Sequence, residues 1–152
     1  MEVFRLARVQ YATLLLGRGA AIKGARWNPA GIELIYTAQN RSLAMAEVAV
    51  HFTLATLPED YVMITINIPD KIKFKQLTEA DLPSGWKEFP HPAATQKIGY
   101  DFVNENKYGV LLIPSVVTQG DYNVLINPHH KDFAKITIAK IEKFPFDRRI
   151  FE

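Results

Sequence analysis

The chain has 152 residues, of which 48% are apolar, enough to fill the core of one domain. Its 18 basic and 16 acidic side chains nearly cancel, and a formal charge of +2 leaves no electrostatic footprint for a DNA or RNA partner. There is no cysteine, which excludes disulfides and thiolate metal sites.

Met1–Gln10 carries charges at Glu2, Arg5 and Arg8, so it lacks the apolar centre of a signal peptide. The longest apolar run, around Leu43–Leu57, is shorter than the ~20 residues of a membrane span and carries Glu47 and His51. A cytoplasmic protein with no membrane contact is expected. Val3–Ala7 reads as an opening strand with Arg5 among hydrophobic neighbours, and Tyr11–Leu16 as a further apolar segment. Gly17, Gly19 and Gly24 then punctuate GRGAAIKG, which reads as a loop. It lacks the preceding strand and the helix starting within its glycines that the nucleotide fingerprints need.

Asn28-Pro29-Ala30-Gly31 is a turn signal, and Glu33–Ala38 follows as a strand with Tyr36 near its end. Asn40 or Ser42 can cap a helix expected to run to about Thr56, where Leu57-Pro58 stops it. Its composition is that of a helix covered on nearly all sides, with Leu43, Val50 and Leu54 on the face of Glu47. An ionised carboxylate there costs several kcal/mol unless it is paired. Arg26 is the nearest candidate to share its site.

Tyr61–Pro69 is a plain alternating strand, and Lys71–Leu77 reads as a half-exposed edge strand guarded by lysines. Thr78–Pro92 is turn-rich. Ala93–Glu105 is a second helix, ended by Asn106-Lys107-Tyr108-Gly109. Val110–Val117 is a strand that Pro114 places at an edge, bulges or ends, leaving the Ser115 hydroxyl free to face a cleft. Tyr122–Ile126 and Lys135–Lys143 complete the strands. One domain over residues 1–152, of many strands and about two helices, is expected.

His129-His130 has no companion ligands at zinc-like spacing, and His51 and His91 are isolated, so solvated imidazoles and no metal are expected. Ser115 sits in Ile-Pro-Ser-Val-Val, unlike the Gly-x-Ser-x-Gly elbow of a hydrolase. A glycosidase needs two carboxylates on one cleft, and only Glu47 has apolar surroundings. One such carboxylate with an arginine suits cleavage of an N-glycosidic bond in a nucleotide: the acid steadies an oxocarbenium ion while the guanidinium holds phosphate. Tyr36 can stack on the leaving base. The alternative is an Arg26–Glu47 ion pair that only fixes the fold.

The blocks Gly24-Ala25-Arg26-Trp27-Asn28, Ile35-Tyr36-Thr37-Ala38 and Ser42-Leu43-Ala44-Met45-Ala46-Glu47-Val48 resemble the RES domain family. The likeness continues through Ile113-Pro114-Ser115, Tyr122–Pro128 and Phe146–Arg149. It implies an α+β, ADP-ribosyltransferase-like mixed fold, with a split, twisted β-sheet and about two main helices around a dinucleotide cleft. It also implies a toxin of a bacterial toxin–antitoxin pair that depletes NAD by breaking the nicotinamide–ribose bond, with water or phosphate as acceptor. Transfer of ADP-ribose to a protein is the alternative, and a non-catalytic nucleotide- or protein-binding module a second one. By this resemblance Arg26 binds the dinucleotide phosphates and Tyr36 packs on the nicotinamide side. Glu47 orients the ribose and stabilises positive charge, and Ser115 places the ribose or the acceptor. NAD is then substrate, with no further cofactor. The implied partner is an Xre-type helix-turn-helix antitoxin, in whose complex a homodimer is allowed.

Overall fold

A computed structural model describes residues 1–152. Seven strands form one mixed sheet: β1 Glu2–Arg8, β2 Ile35–Ala38, β3 Tyr61–Asn67, β4 Phe74–Gln76, β5 Val110–Pro114, β6 Tyr122–Ile126 and β7 Thr137–Lys143. Their order is β4-β5-β6-β2-β1-β3-β7, with β4 and β5 parallel and every other pair antiparallel. The helices are α1 Arg18–Lys23, α2 Arg41–Ala49 and α3 Ala93–Glu105. None is long and apolar enough to cross a membrane.

The α+β class and the split sheet are as expected. β1 is paired with β3 along its whole length, from Glu2↔Asn67 to Arg8↔Tyr61, whereas it meets β2 only at Phe4↔Ala38. The sheet is thus two halves hinged at one bridge. Strand alternation divides the core accordingly. Val3, Ile35, Ile64, Ile66, Val110, Val124 and Ile126 form one continuous cluster on one face. On the other face the core is in two pieces. Leu34, Leu111, Ile113 and Leu125 gather with Phe102 of α3, while Leu6, Ala38 and Met63 gather with Leu43 and Ala44 of α2. The gap between these pieces lies over the hinge.

Two expectations change and a third resolves among its alternatives. GRGAAIKG contains α1, because Ala20-Ala21-Ile22-Lys23 are competent helix formers between a Gly17 cap and a Gly24 terminator at φ 76°. Helix α2 ends at Ala49, not near Thr56, and Val50 and Leu54 are 60% and 36% exposed. After Val50 the Thr56 Oγ1 accepts from the Thr53 amide (2.9 Å), a local bond that competes with the helix, while Phe52 turns onto Tyr61 of β3 at 5.9 Å. Of the outcomes expected of Pro114, β5 takes the ending: it stops at Pro114 and is not an edge strand, since β4 pairs outside it. Lysine-flanked β4 is the edge on that side, and β7 is the other.

Asn40 caps α2 by accepting from the Leu43 amide at 2.7 Å. Asn106 closes α3 in the left-handed region at φ 53°.

Candidate active site

Over the hinge lies a cavity of about 790 Å³, bordered by Phe4, Arg26, Tyr36, Glu47, His51 and His91 among others. Each side chain is delivered by a different device. Arg26 comes from the loop Gly24–Gly31, folded on itself by an Ala25↔Asn28 bridge. Asn28, fully buried, locks that loop: its amide nitrogen donates to the carbonyls of Ala20 (3.0 Å), Ile32 (2.9 Å) and Pro29 (3.2 Å). The Tyr36 hydroxyl donates to Asn28 Oδ1 at 2.6 Å and accepts from the Trp27 amide at 3.2 Å. Burial, above all, pushes the Tyr36 phenol well above its ordinary value, so it stays protonated. Its ring is pinned at the hydroxyl end and borders the cavity.

Helix α3 backs the loop. Gln96 donates to the Ala25 carbonyl (3.2 Å), and a Cβ at Gly99 would sit 1.6 Å from the Trp27 carbonyl oxygen. Only glycine permits that approach.

The Arg26 guanidinium spends Nη1 on two backbone carbonyls, Trp86 at 2.7 Å and Glu88 at 2.8 Å. Nε and Nη2 are left without a protein acceptor. Burial lowers its pKa, opposed by the nearby charge of Glu47 and then by Tyr36. No carboxylate approaches it within 4.0 Å, so the Arg26–Glu47 ion pair of the alternative reading does not form. The two groups face one cavity without neutralising each other.

Glu47 is partly buried on α2, not covered on all sides as its apolar neighbours suggested. Ser115 explains how it is held. The serine is 2% exposed, and its Oγ accepts from the amides of Val117 (3.0 Å) and Thr118 (3.1 Å). With both lone pairs engaged, its single proton goes to Glu47 Oε1 at 2.9 Å. The hydroxyl is therefore not free to face a cleft; it orients the carboxylate. The strand ends at Pro114, the Ser115 amide makes a last bond across to the Asp121 carbonyl (2.9 Å), and the Ser115–Thr118 turn then makes this contact.

The structure thus brings Arg26, Tyr36 and Glu47 to one cavity and puts Ser115 behind Glu47. Several residues went unrecognised in the sequence. Asn28 read only as a turn former, and His51 and His91, which border the cavity, read as isolated. Arg5 borders it from β1, but alternation turns its side chain to the face opposite Phe4 and Leu6. There its guanidinium, its pKa lowered by burial, donates to the Leu16 carbonyl at 3.5 Å. His130 is 7% exposed, contrary to the expected solvated pair, and accepts from the Asp132 amide (3.2 Å). No three His, Asp or Glu side chains converge as a metal site.

The family model described as the RES domain matches residues 2–147. The Prs ADP-ribosylating toxin of Sphingobium sp. (strain YBL2) is 34% identical over 146 residues, 95% of this chain and 91% of that protein. A protein named Toxin Res from Yersinia enterocolitica is 33% identical over 153 residues, 99% of each chain. Among solved structures, the M. tuberculosis MbcT-MbcA toxin-antitoxin complex contains a chain that superposes with a TM-score of 0.76 at 19% identity, covering 99% of this chain and 86% of that one. At that identity the match speaks to the fold, and the fold agrees. With a family match across nearly the whole chain and relatives a third identical over their full length, this protein belongs to the RES domain family.

Proposed function

We propose that the cavity cleaves the nicotinamide–ribose bond of NAD, and that the chain is the toxin of a toxin–antitoxin pair. The observation that carries this reading is the unneutralised pair. A carboxylate fixed by a buried serine and a guanidinium with free donors share one cavity without meeting. A pair serving only the fold would be closed, because an open one forfeits its attraction while keeping the desolvation cost.

In this reading the nicotinamide ring lies on the Tyr36 face, and Nε and Nη2 of Arg26 hold the phosphates, whose oxygens match a planar fork. The Glu47 carboxylate stands by the ribose. As the C1′–N bond breaks, its electron pair neutralises the pyridinium nitrogen and the positive charge passes to the sugar, where Glu47 stabilises it. A water then adds to C1′ and releases a proton, giving ADP-ribose. NAD is substrate here, and no other cofactor is required. Inorganic phosphate can take the place of water.

A second reading makes a protein the acceptor, and the name of the Sphingobium relative, an ADP-ribosylating toxin, favours it. Relatives named as toxins and a structural neighbour from a toxin–antitoxin complex support the toxin role and an antitoxin partner, and a cytoplasmic site of action is part of the same proposal. An Xre-type helix-turn-helix protein, and a dimer of this chain within that complex, complete the proposal.

The fate of the ADP-ribose half tests it. NAD labelled in the adenylate is incubated with pure protein, with and without phosphate, and with cell extract. Label in free ADP-ribose or its 1″-phosphate supports NAD degradation, and label retained on a polypeptide supports transfer. Label remaining in intact NAD under all conditions contradicts both.

A further inference from the structure

The loop before α3 ends at the cavity mouth with Phe89. Its side chain is 86% exposed, more than any other large apolar side chain in the protein. Single exposed apolar residues are ordinary. What sets this one apart is where it stands and how it is held. It borders the cavity, and its aromatic neighbour is His91, edge-on at 6.5 Å and 73° and itself on the cavity wall. The preceding residues are fixed: Trp86 is buried against Trp27 at 6.2 Å, and Arg26 Nη1 grips the carbonyls of Trp86 and Glu88. Phe89 is the next residue along. An open aromatic face is thus tied, one residue away, to a guanidinium whose Nε and Nη2 have no protein acceptor.

A nucleotide joins a flat ring to a phosphate through one sugar, which is the juxtaposition this loop offers. Tyr36, on the inner wall, already provides a face for the ring that leaves. We propose that Phe89, supported at its edge by His91, is the stacking platform for the base at the far end of the dinucleotide, so that the mouth selects dinucleotides over mononucleotides. This rests on the reading of the cavity as an NAD site. Burial and then the Arg26 cation hold the His91 imidazole below its usual range, so at neutral pH it backs the platform without adding charge.

Base–aromatic stacking is sequence-tolerant and is lost on truncation to alanine. Phe89→Ala should raise KM for NAD about tenfold with kcat little changed, and Phe89→Trp should restore it. Nicotinamide mononucleotide, which ends at its phosphate, should be cleaved equally by both proteins. Calorimetry with ADP-ribose gives a readout that needs no bond cleavage, and Phe89→Ala should weaken that binding by a similar factor. If the wild type binds ADP-ribose in a Phe89-dependent way but frees no nicotinamide, the catalytic reading falls and the platform stands. If NAD is cleaved and Phe89→Ala leaves its KM unchanged, or if ADP-ribose binds both proteins alike, the platform is overturned.

Discussion

The Ser115 hydroxyl has one proton to give and two backbone amides already filling its lone pairs, so its contact with Glu47 has a direction. In the proposed reaction that makes Ser115 a positioning residue, acting through the carboxylate. Ser115→Ala deprives two amides of their acceptor, which costs about 1–3 kcal/mol where such groups are buried. It also lets Glu47 leave its place, and misplacing a catalytic group by an ångström can cost about 100-fold. The expected outcome is a 10- to 100-fold lower kcat for nicotinamide release with KM nearly unchanged, alongside a lower urea midpoint. A raised KM at constant kcat would instead make the serine a ligand of the substrate. None of this was legible from Ile-Pro-Ser-Val-Val. Pro114 announced that the strand would end, but the partner of Ser115 lies 68 residues away, and only the packing of α2 on β1 and β2 brings it there.

At the scale of elements, the readable ones were those whose signals are local. The bounds of α3 and β6 follow from apolar spacing bracketed by Pro92, Asn106, Asp121 and Asn127, and Asn40 caps α2 as a side-chain acceptor should. What failed depended on neighbours. The glycines at both ends of α1 masked four helix formers, and past the end of α2 the chain makes the Thr53–Thr56 bond and the Phe52–Tyr61 contact instead of another helical turn. The fit of α3 to the arginine loop is another such tertiary fact, and Gly99 reports it. Gly99→Ala drives a methyl into the Trp27 carbonyl, so α3 must shift or the loop must move, at about 1–3 kcal/mol. Because Arg26 precedes Trp27, KM for NAD should rise as well. Gly19→Ala is the control: nothing lies within 4 Å of its added Cβ and it sits inside α1, so it should stabilise by about 0.5–1 kcal/mol. Equal unfolding midpoints for the two variants would refute this account of the contact.

The whole molecule explains why the cavity is where it is. A seven-stranded sheet joined at a single bridge keeps one face continuous and lets the other open between two apolar clusters. Arg26 and Tyr36 belong to the side of α3 and β2, Glu47 to the side of α2, and they meet only across that opening. Nothing in a one-dimensional pattern marks the bridge Phe4↔Ala38, although both strands were readable. The family resemblance supplied the cleft, and the topology gives its physical reason. The central claim is that Glu47 is held, unpaired, to steady a sugar cation. It is tested most directly by the initial rate of nicotinamide release from NAD by the pure protein and by Glu47→Gln. Glutamine still accepts from Ser115 and keeps the shape, so stability should stay within about 0.5 kcal/mol. Removal of the charge should lower the rate by about 10²–10³-fold. A Glu47→Gln protein as fast as the wild type, or a folded wild type that releases no nicotinamide, would contradict the account.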